Sequence, residues 1–76
     1  MVINTEIGKE VEVMEHLASL ESVECIYIVY GVYDIVAKVT STTSEQLDST
    51  IMNQIRQVPF VRSTLTLIVS KEYKRT

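Results

Sequence analysis

The residues of this chain that could best do chemistry are gathered in one short hinge, Tyr30-Gly31-Val32-Tyr33-Asp34. Gly31 tolerates positive φ angles at no steric cost and therefore suits a tight turn. Asp34 follows that turn among apolar residues, so its carboxylate needs a partner. Two kinds of partner fit: the turn itself, which short acids commonly bind, or a charged group from outside the fold. Residue type alone does not separate the two.

The hinge joins two segments that are predicted to form a β-hairpin. Val23–Val29 and Ile35–Val39 are both rich in β-branched and aromatic residues, which favour strands. A Gly followed by one further residue favours a two-residue type II′ turn at the hinge. Such a turn would pair residues across the hairpin, Tyr30 with Tyr33 and Val29 with Asp34.

The sequence before the hairpin indicates a strand and a helix. Val2–Glu6 is a short strand candidate. Gly8–Leu20 carries apolar residues at helical spacing, with charged residues between them, and the predicted buried stripe is Val11, Met14, Leu17 and Ala18.

The sequence after the hairpin indicates a second helix and a last strand. Thr43-Ser44-Glu45-Gln46 matches a capping box, Pro59 ends the helix, and its apolar stripe is Leu47, Ile51, Ile55 and Val58. Val61–Ser70 is the last strand. The order strand, helix, strand, strand, helix, strand predicts an α+β, ferredoxin-like βαββαβ fold, with a four-stranded antiparallel sheet and two helices on one face.

Composition and charge exclude several classes of protein. The chain has 76 residues, 46% hydrophobic, with two Gly and one Pro, which predicts a single domain over residues 1–76. One Cys and an N-terminus unlike a signal peptide favour a cytoplasmic protein, and no segment is long enough to cross a membrane. A net charge of −3 argues against direct DNA binding. Neither a metal nor another cofactor is expected, because no cluster of metal ligands and no phosphate-binding Gly loop occurs.

The face of the sheet opposite the helices is too apolar to be left in water. Two helices cover only one face of a four-stranded sheet, so the other should alternate in polar residues. Strict alternation instead gives it the side chains Val23, Cys25, Tyr27, Val29 and Val36. The same rule groups four residues on one face of the last strand, Val61, Leu65, Leu67 and Val69. A second copy of the sheet about 10 Å away is the simplest cover, so we expect a dimer with stacked sheets.

Three stretches of the sequence together match a known family: the Gly-Lys-Glu start of the first helix, the hinge, and Val58-Pro59-Phe60-Val61-Arg62-Ser63-Thr64-Leu65-Thr66-Leu67-Ile68-Val69. They resemble the C-terminal ligand-binding (RAM) domain of the Lrp/AsnC, or feast/famine, transcriptional regulators. The resemblance covers nearly the whole chain, without the helix-turn-helix half that would bind DNA. The chain therefore looks like a stand-alone RAM module, with Phe60 where the family often has Gly.

The resemblance implies an assembly and a binding site. Family members form dimers through their sheets, the dimers assemble into rings, and amino acids or related small molecules bind between dimers in many of them. By position, the residues expected to contact an effector are Gly31, Val32, Tyr33 and Asp34 of the hinge, and Thr64 and Thr66 of a neighbouring subunit's last strand. The hinge amides would then bind a carboxylate while Asp34 faces an ammonium. A full-length regulator of the Lrp/AsnC type is a further possible partner.

Three classes of function remain open. The first is a regulatory module that self-assembles and binds an amino acid. The second is an interaction module that needs no effector, and the third is a small dimeric ferredoxin-like enzyme. No catalytic residue is assigned, because Cys25 has no basic partner near it in sequence and His16 is expected to face solvent. β-propensity alone also accounts for Thr64 and Thr66.

Overall fold

Strands and helices follow the predicted order. The computed structural model describes residues 1–40 and 51–75. Within these ranges the elements are β1 (Val2–Thr5), α1 (Glu10–Ala18), β2 (Val23–Ile28), β3 (Ile35–Val39), α2 (Met52–Arg56) and β4 (Val61–Leu65). The strands form one antiparallel sheet in the order β2-β3-β1-β4. The predicted ferredoxin-like fold is therefore confirmed, while the capping box at 43–46 and Leu47 lie outside the described residues.

The core lies between the helices and one face of the sheet. Its buried cluster is Ile3, Val13, Leu17, Ile35, Ala37, Ile51 and Ile55. In α1 the predicted stripe is only partly right, because Val13 is fully buried while Val11 is 59% exposed. The apolar residues of this short helix fit more than one stripe. The sheet selects the stripe in which Val13 and Leu17 stand one turn apart on the same side.

A β-bulge in β2 changes which side chains face the core. Val23 pairs with Val39 and Cys25 with Lys38, so Glu24 is an extra residue with no opposite number. An inserted residue breaks the period-two alternation of a strand. Val23 therefore packs against the core, whereas strict alternation placed it on the open face.

A second bulge has the same effect in β4. Asn4 pairs with Ser63 and Thr5 with Val61, which leaves Arg62 as the extra residue. As a consequence Val61 packs against the core. Leu65 pairs with Val2 and lies on the opposite face, so the prediction that Val61 and Leu65 share a face is wrong.

The last strand is shorter than predicted. β4 ends at Leu65 rather than at Ser70, because its final partner is Val2, at the start of β1. The ammonium group of Met1 donates to the carbonyl oxygen of Ala37 in β3 (3.0 Å), and partial burial lowers the pKa of this ammonium. Residues beyond Leu65 therefore have no strand of this sheet beside them.

Phe60 connects α2 to β4 with a left-handed backbone. Its φ is +72°, an angle that costs a residue with a side chain about 1–2 kcal/mol and that Gly adopts freely. The ring packs against the core, and the Lys9 ammonium lies 4.7 Å from its centroid. Its carbonyl oxygen also accepts a hydrogen bond from the Glu6 N–H (2.9 Å). Packing and the cation–π contact offset the strain of this backbone.

Two substitutions at Phe60 separate these opposing effects. Phe60→Ala removes the ring but keeps the strain of a Cβ at positive φ, so we expect a loss of about 2–4 kcal/mol in the free energy of unfolding. Phe60→Gly removes the ring and also releases the strain, so it should be the more stable variant by about 1 kcal/mol. Urea unfolding measures both. At an unstrained position Gly normally destabilises a protein more than Ala does. A Phe60→Gly variant with a lower free energy of unfolding than Phe60→Ala would therefore show that the backbone at this position is not strained.

Candidate functional site

The hinge is a wider loop than the predicted turn. The Val29 N–H donates to the carbonyl oxygen of Asp34 (2.9 Å), which confirms that these two residues are opposite each other. The type II′ turn is wrong, because Gly31 has φ of +150° where that turn needs about +60°. The backbone N–H of Asp34 donates to the Ile3 carbonyl oxygen (3.1 Å) on β1. The end of the hairpin is therefore closed by the Val29–Asp34 bond and also fastened to β1.

The carboxylate of Asp34 has a partner that the sequence did not indicate. Its Oδ2 accepts a hydrogen bond from the Thr5 backbone N–H (2.8 Å) and lies 3.5 Å from the Thr5 hydroxyl. Thr5 is only 5% exposed and is the last residue of β1. The carboxylate thus takes the place of a backbone acceptor where the β1–β3 ladder stops. Among the described residues no donor reaches Oδ1.

Asp34 stands between two clefts on opposite sides of the hinge. The helix-side cleft, about 330 Å³, is lined by Glu10, Val11, Ile28, Val29, Tyr30, Gly31 and Asp34. The sheet-side cleft, about 440 Å³, is lined by Asn4, Thr5, Ile7, Val32, Asp34, Arg62 and Ser63. Both are open clefts at the surface of the single chain rather than enclosed cavities. The acid of the hinge can therefore act on a ligand from either side.

The structure separates the six residues predicted to bind an effector. Gly31 lines the helix-side cleft, Val32 lines the sheet-side cleft, and the half-buried Tyr33 lines neither. Thr64 pairs with Ile3, which pairs with Ile35, so it lies two strands from the hinge, about 10 Å away. Within one subunit the two threonines therefore do not join the hinge.

Thr66 belongs to the opposite end of the sheet. Its hydroxyl donates to the Met52 sulfur (3.2 Å), and it lines a third cavity of about 240 Å³ with Met1, Ala37, Lys38, Val39, Thr40, Met52, Leu67, Val69 and Glu72. Any contact of Thr66 with the hinge would have to come from another subunit.

Sequence reasoning missed three polar residues of the sheet-side cleft. Asn4 and Ser63 are directly opposite on β1 and β4, with Asn4 Nδ2 donating to Ser63 Oγ (3.3 Å), and Arg62 is the bulged residue beside them. The spacing of residues in the sequence does not reveal a bulge, so strict alternation could not place Arg62 in this cleft. Across residues 1–40 and 51–75, no three His, Cys, Asp or Glu side chains form a metal site, and no helix could span a membrane.

Comparison with known proteins identifies the family. The sequence profile of the Lrp/AsnC ligand binding domain matches residues 3–76. Among solved structures, FFRP-DM1 is 41% identical, with a TM-score of 0.83 and coverage of 90% of this chain and 91% of that one. A hypothetical protein, PHS023 from Pyrococcus horikoshii, is 40% identical, with a TM-score of 0.83 and coverage of 95% and 87%. TTHA0845 from Thermus thermophilus is 31% identical, with a TM-score of 0.85 and coverage of 97% and 92%. No curated protein gave a significant match.

The fold and the hinge define a ligand-binding module on a ferredoxin-like scaffold. The chain belongs to the Lrp/AsnC ligand-binding domain family, which confirms the resemblance inferred from the hinge and the last strand. Its class of function is that of a regulatory ligand-binding domain.

The bond between Asp34 and Thr5 makes a prediction about stability. Asp34→Ala leaves the Thr5 N–H without its charged acceptor, and the free energy of unfolding should fall by about 1.5–3 kcal/mol. Asp34→Asn keeps an oxygen at the same place, so it should lose less than about 1 kcal/mol. Thermal and urea unfolding of both variants check this. Equal free energies of unfolding for the wild type and Asp34→Ala would mean that this hydrogen bond does not stabilise the fold.

Proposed function

We propose that this chain is a self-assembling regulatory module that binds a small zwitterionic effector, an amino acid, at the hinge. The observation that carries the proposal is the position of Asp34. Its carboxylate is held by Thr5, forms part of two clefts, and has one oxygen that no described donor reaches. An ammonium group is the ligand that such an oxygen binds best. Membership of a ligand-binding family supports the same reading.

Self-association is supported by a row of apolar side chains across the open face of the sheet. The pairing of the strands aligns Tyr27, Val36, Val2 and Leu65, one from each strand. Tyr27 is 57% and Leu65 47% exposed in the single chain. Val36 between them is half-buried and Val2 is buried, so a second sheet packed on the row would bury chiefly the exposed parts of Tyr27 and Leu65. The proposed dimer is therefore formed by two open faces.

A further junction at the hinge would place the effector between subunits. Ile7, Tyr30 and Val32 are all more than four-fifths exposed around the two clefts, which is unusual for large apolar residues close together. A neighbouring dimer that covers them would enclose the effector, and could supply its Thr64 and Thr66. A ring of dimers has this geometry.

The alternative is an interaction module that needs no effector. The same exposed apolar surfaces favour it, since they could join a full-length regulator of the same family directly. In either case the chain acts through a protein partner rather than on DNA. Ligand binding by the purified protein separates the two proposals.

A thermal-shift screen with the twenty amino acids tests the proposed effector class. We expect at least one amino acid to raise the melting temperature, because a ligand at a hundredfold excess over its Kd stabilises the native state by about 2.7 kcal/mol. Asp34→Asn should stay folded but lose most of that shift, because it lacks the charge that binds the ammonium. A wild-type protein that responds to none of the twenty would favour the interaction module.

Light scattering tests the proposed dimer interface. Tyr27→Lys places a charge in the apolar row but, at an exposed position, should leave the single chain folded. We expect the wild type at micromolar concentration to have at least the mass of a dimer and the variant to lose sheet-to-sheet pairing. Ala18→Lys, at an exposed position on α1 that lines neither cleft, is the control and should keep the dimer. A monomeric wild type, or a variant with unchanged mass, would contradict the interface.

A further inference from the structure

We infer that the effector occupies the sheet-side cleft and that Arg62 binds its carboxylate. This inference rests on the proposed function and goes beyond it by choosing one of the two clefts and by assigning a residue that the hinge motif does not contain. It is carried by three features of the cleft: the bulge at Arg62, the arrangement of charges, and the apolar residues at its edge.

The bulge sets the position of Arg62. In β4, Val61 and Ser63 pair with successive residues of β1, and Arg62 between them has no opposite number. A bulge re-aims the side chain of its extra residue, and bulges are common beside binding sites for that reason. Here Arg62 lines the cleft that Asp34 also lines. Among the described residues Arg62 takes part in no ion pair.

Charge distinguishes the two clefts. The helix-side cleft contains the carboxylates of Glu10 and Asp34 and no basic residue, so it disfavours a ligand carboxylate. The sheet-side cleft has one acid, Asp34, and one base, Arg62. A zwitterion can place its ammonium on Asp34 and its carboxylate on Arg62, whose planar guanidinium suits bidentate binding of a carboxylate.

The remaining residues of the sheet-side cleft indicate the kind of amino acid. Ile7 and Val32 are 94% and 84% exposed at its edge and offer apolar contact to a side chain. Asn4 and Ser63 already bond to each other, which reduces their use for a polar side chain. Once Asp34 and Arg62 hold the two backbone charges, the cleft has no charged group left for a charged side chain. It therefore fits an uncharged α-amino acid better than a charged one, and the aliphatic amino acids are the simplest probes of it.

Calorimetry with defined probes tests the assignment. The probes are L-valine, L-leucine, L-isoleucine and L-methionine, each beside its C-terminal amide, which keeps the ammonium but lacks the carboxylate. On the wild type we expect the best of the four to bind at least about tenfold more tightly than its amide, the loss of one charge-assisted contact. Arg62→Gln should weaken binding of the acid by a similar factor and abolish its advantage over the amide. Arg62→Lys, which keeps the charge without the planar fork, should fall between them.

Glu10→Gln is the matched control, since Glu10 lines only the helix-side cleft. Unchanged affinity in Glu10→Gln together with the loss in Arg62→Gln supports the assignment. Tight binding that Arg62→Gln leaves intact, or that Glu10→Gln alters instead, overturns the assignment while the proposed function stands. If the wild type binds none of the four acids but binds another amino acid, the aliphatic selectivity is wrong. If it binds no amino acid, the proposed function and this inference both fail.

Discussion

The end of β1 is the point on which both the hinge and the last strand depend. Thr5 pairs with Val61 on one side, while on the other its N–H donates to the Asp34 carboxylate, and the next N–H, of Glu6, bonds to Phe60. A charge-assisted bond in a partly buried setting is worth more than an ordinary strand bond, about 1.5–3 kcal/mol. It holds the acid in place before any ligand arrives. A ligand at the proposed site would therefore not have to order this residue.

The order of the elements could be predicted from the sequence, but the faces of the strands could not be fully predicted. The hairpin segments and the helix ended by Pro59 have strong local signals, since β-branched residues and proline act over a few positions. The face of the sheet on which a side chain lies is harder to predict, because one bulge moves every later side chain of the strand to the opposite face. Strict alternation therefore failed at Val23 and Leu65, each on the far side of a bulge from correctly placed residues.

The candidate site was predictable in part for the same reason. Asp34 stood out because an acid beside an apolar hairpin needs a partner, and the structure does give it one. That partner is Thr5, 29 positions away, and only the pairing of β1 with β3 brings the two together. Arg62 had no such signal, because its place in the sheet-side cleft follows from a bulge. The hinge can be recognised from local sequence, whereas the positions of Thr5 and Arg62 beside it depend on tertiary structure.

The open face and the hinge place different demands on the same sheet. The row of Tyr27, Val36, Val2 and Leu65 is apolar across all four strands, whereas the part of the sheet around Asn4, Ser63 and Arg62 is polar. A partner sheet on the row would leave that polar edge at the margin of the interface. The proposed assembly and the proposed ligand binding would then use different residues of one face.

Methyl NMR tests most directly whether the hinge binds its ligand on the sheet side. Ile7 and Val32 report on the sheet-side cleft, and Val11 and Ile28 on the helix-side cleft, so labelling only Ile and Val methyl groups covers both. Titration with L-isoleucine or L-valine, in unlabelled form, should shift the methyl signals of Ile7 and Val32 and leave those of Val11 and Ile28 nearly unchanged. Shifts confined to Val11 and Ile28 would contradict this placement, and signals that do not move at all would contradict an aliphatic amino acid as the ligand.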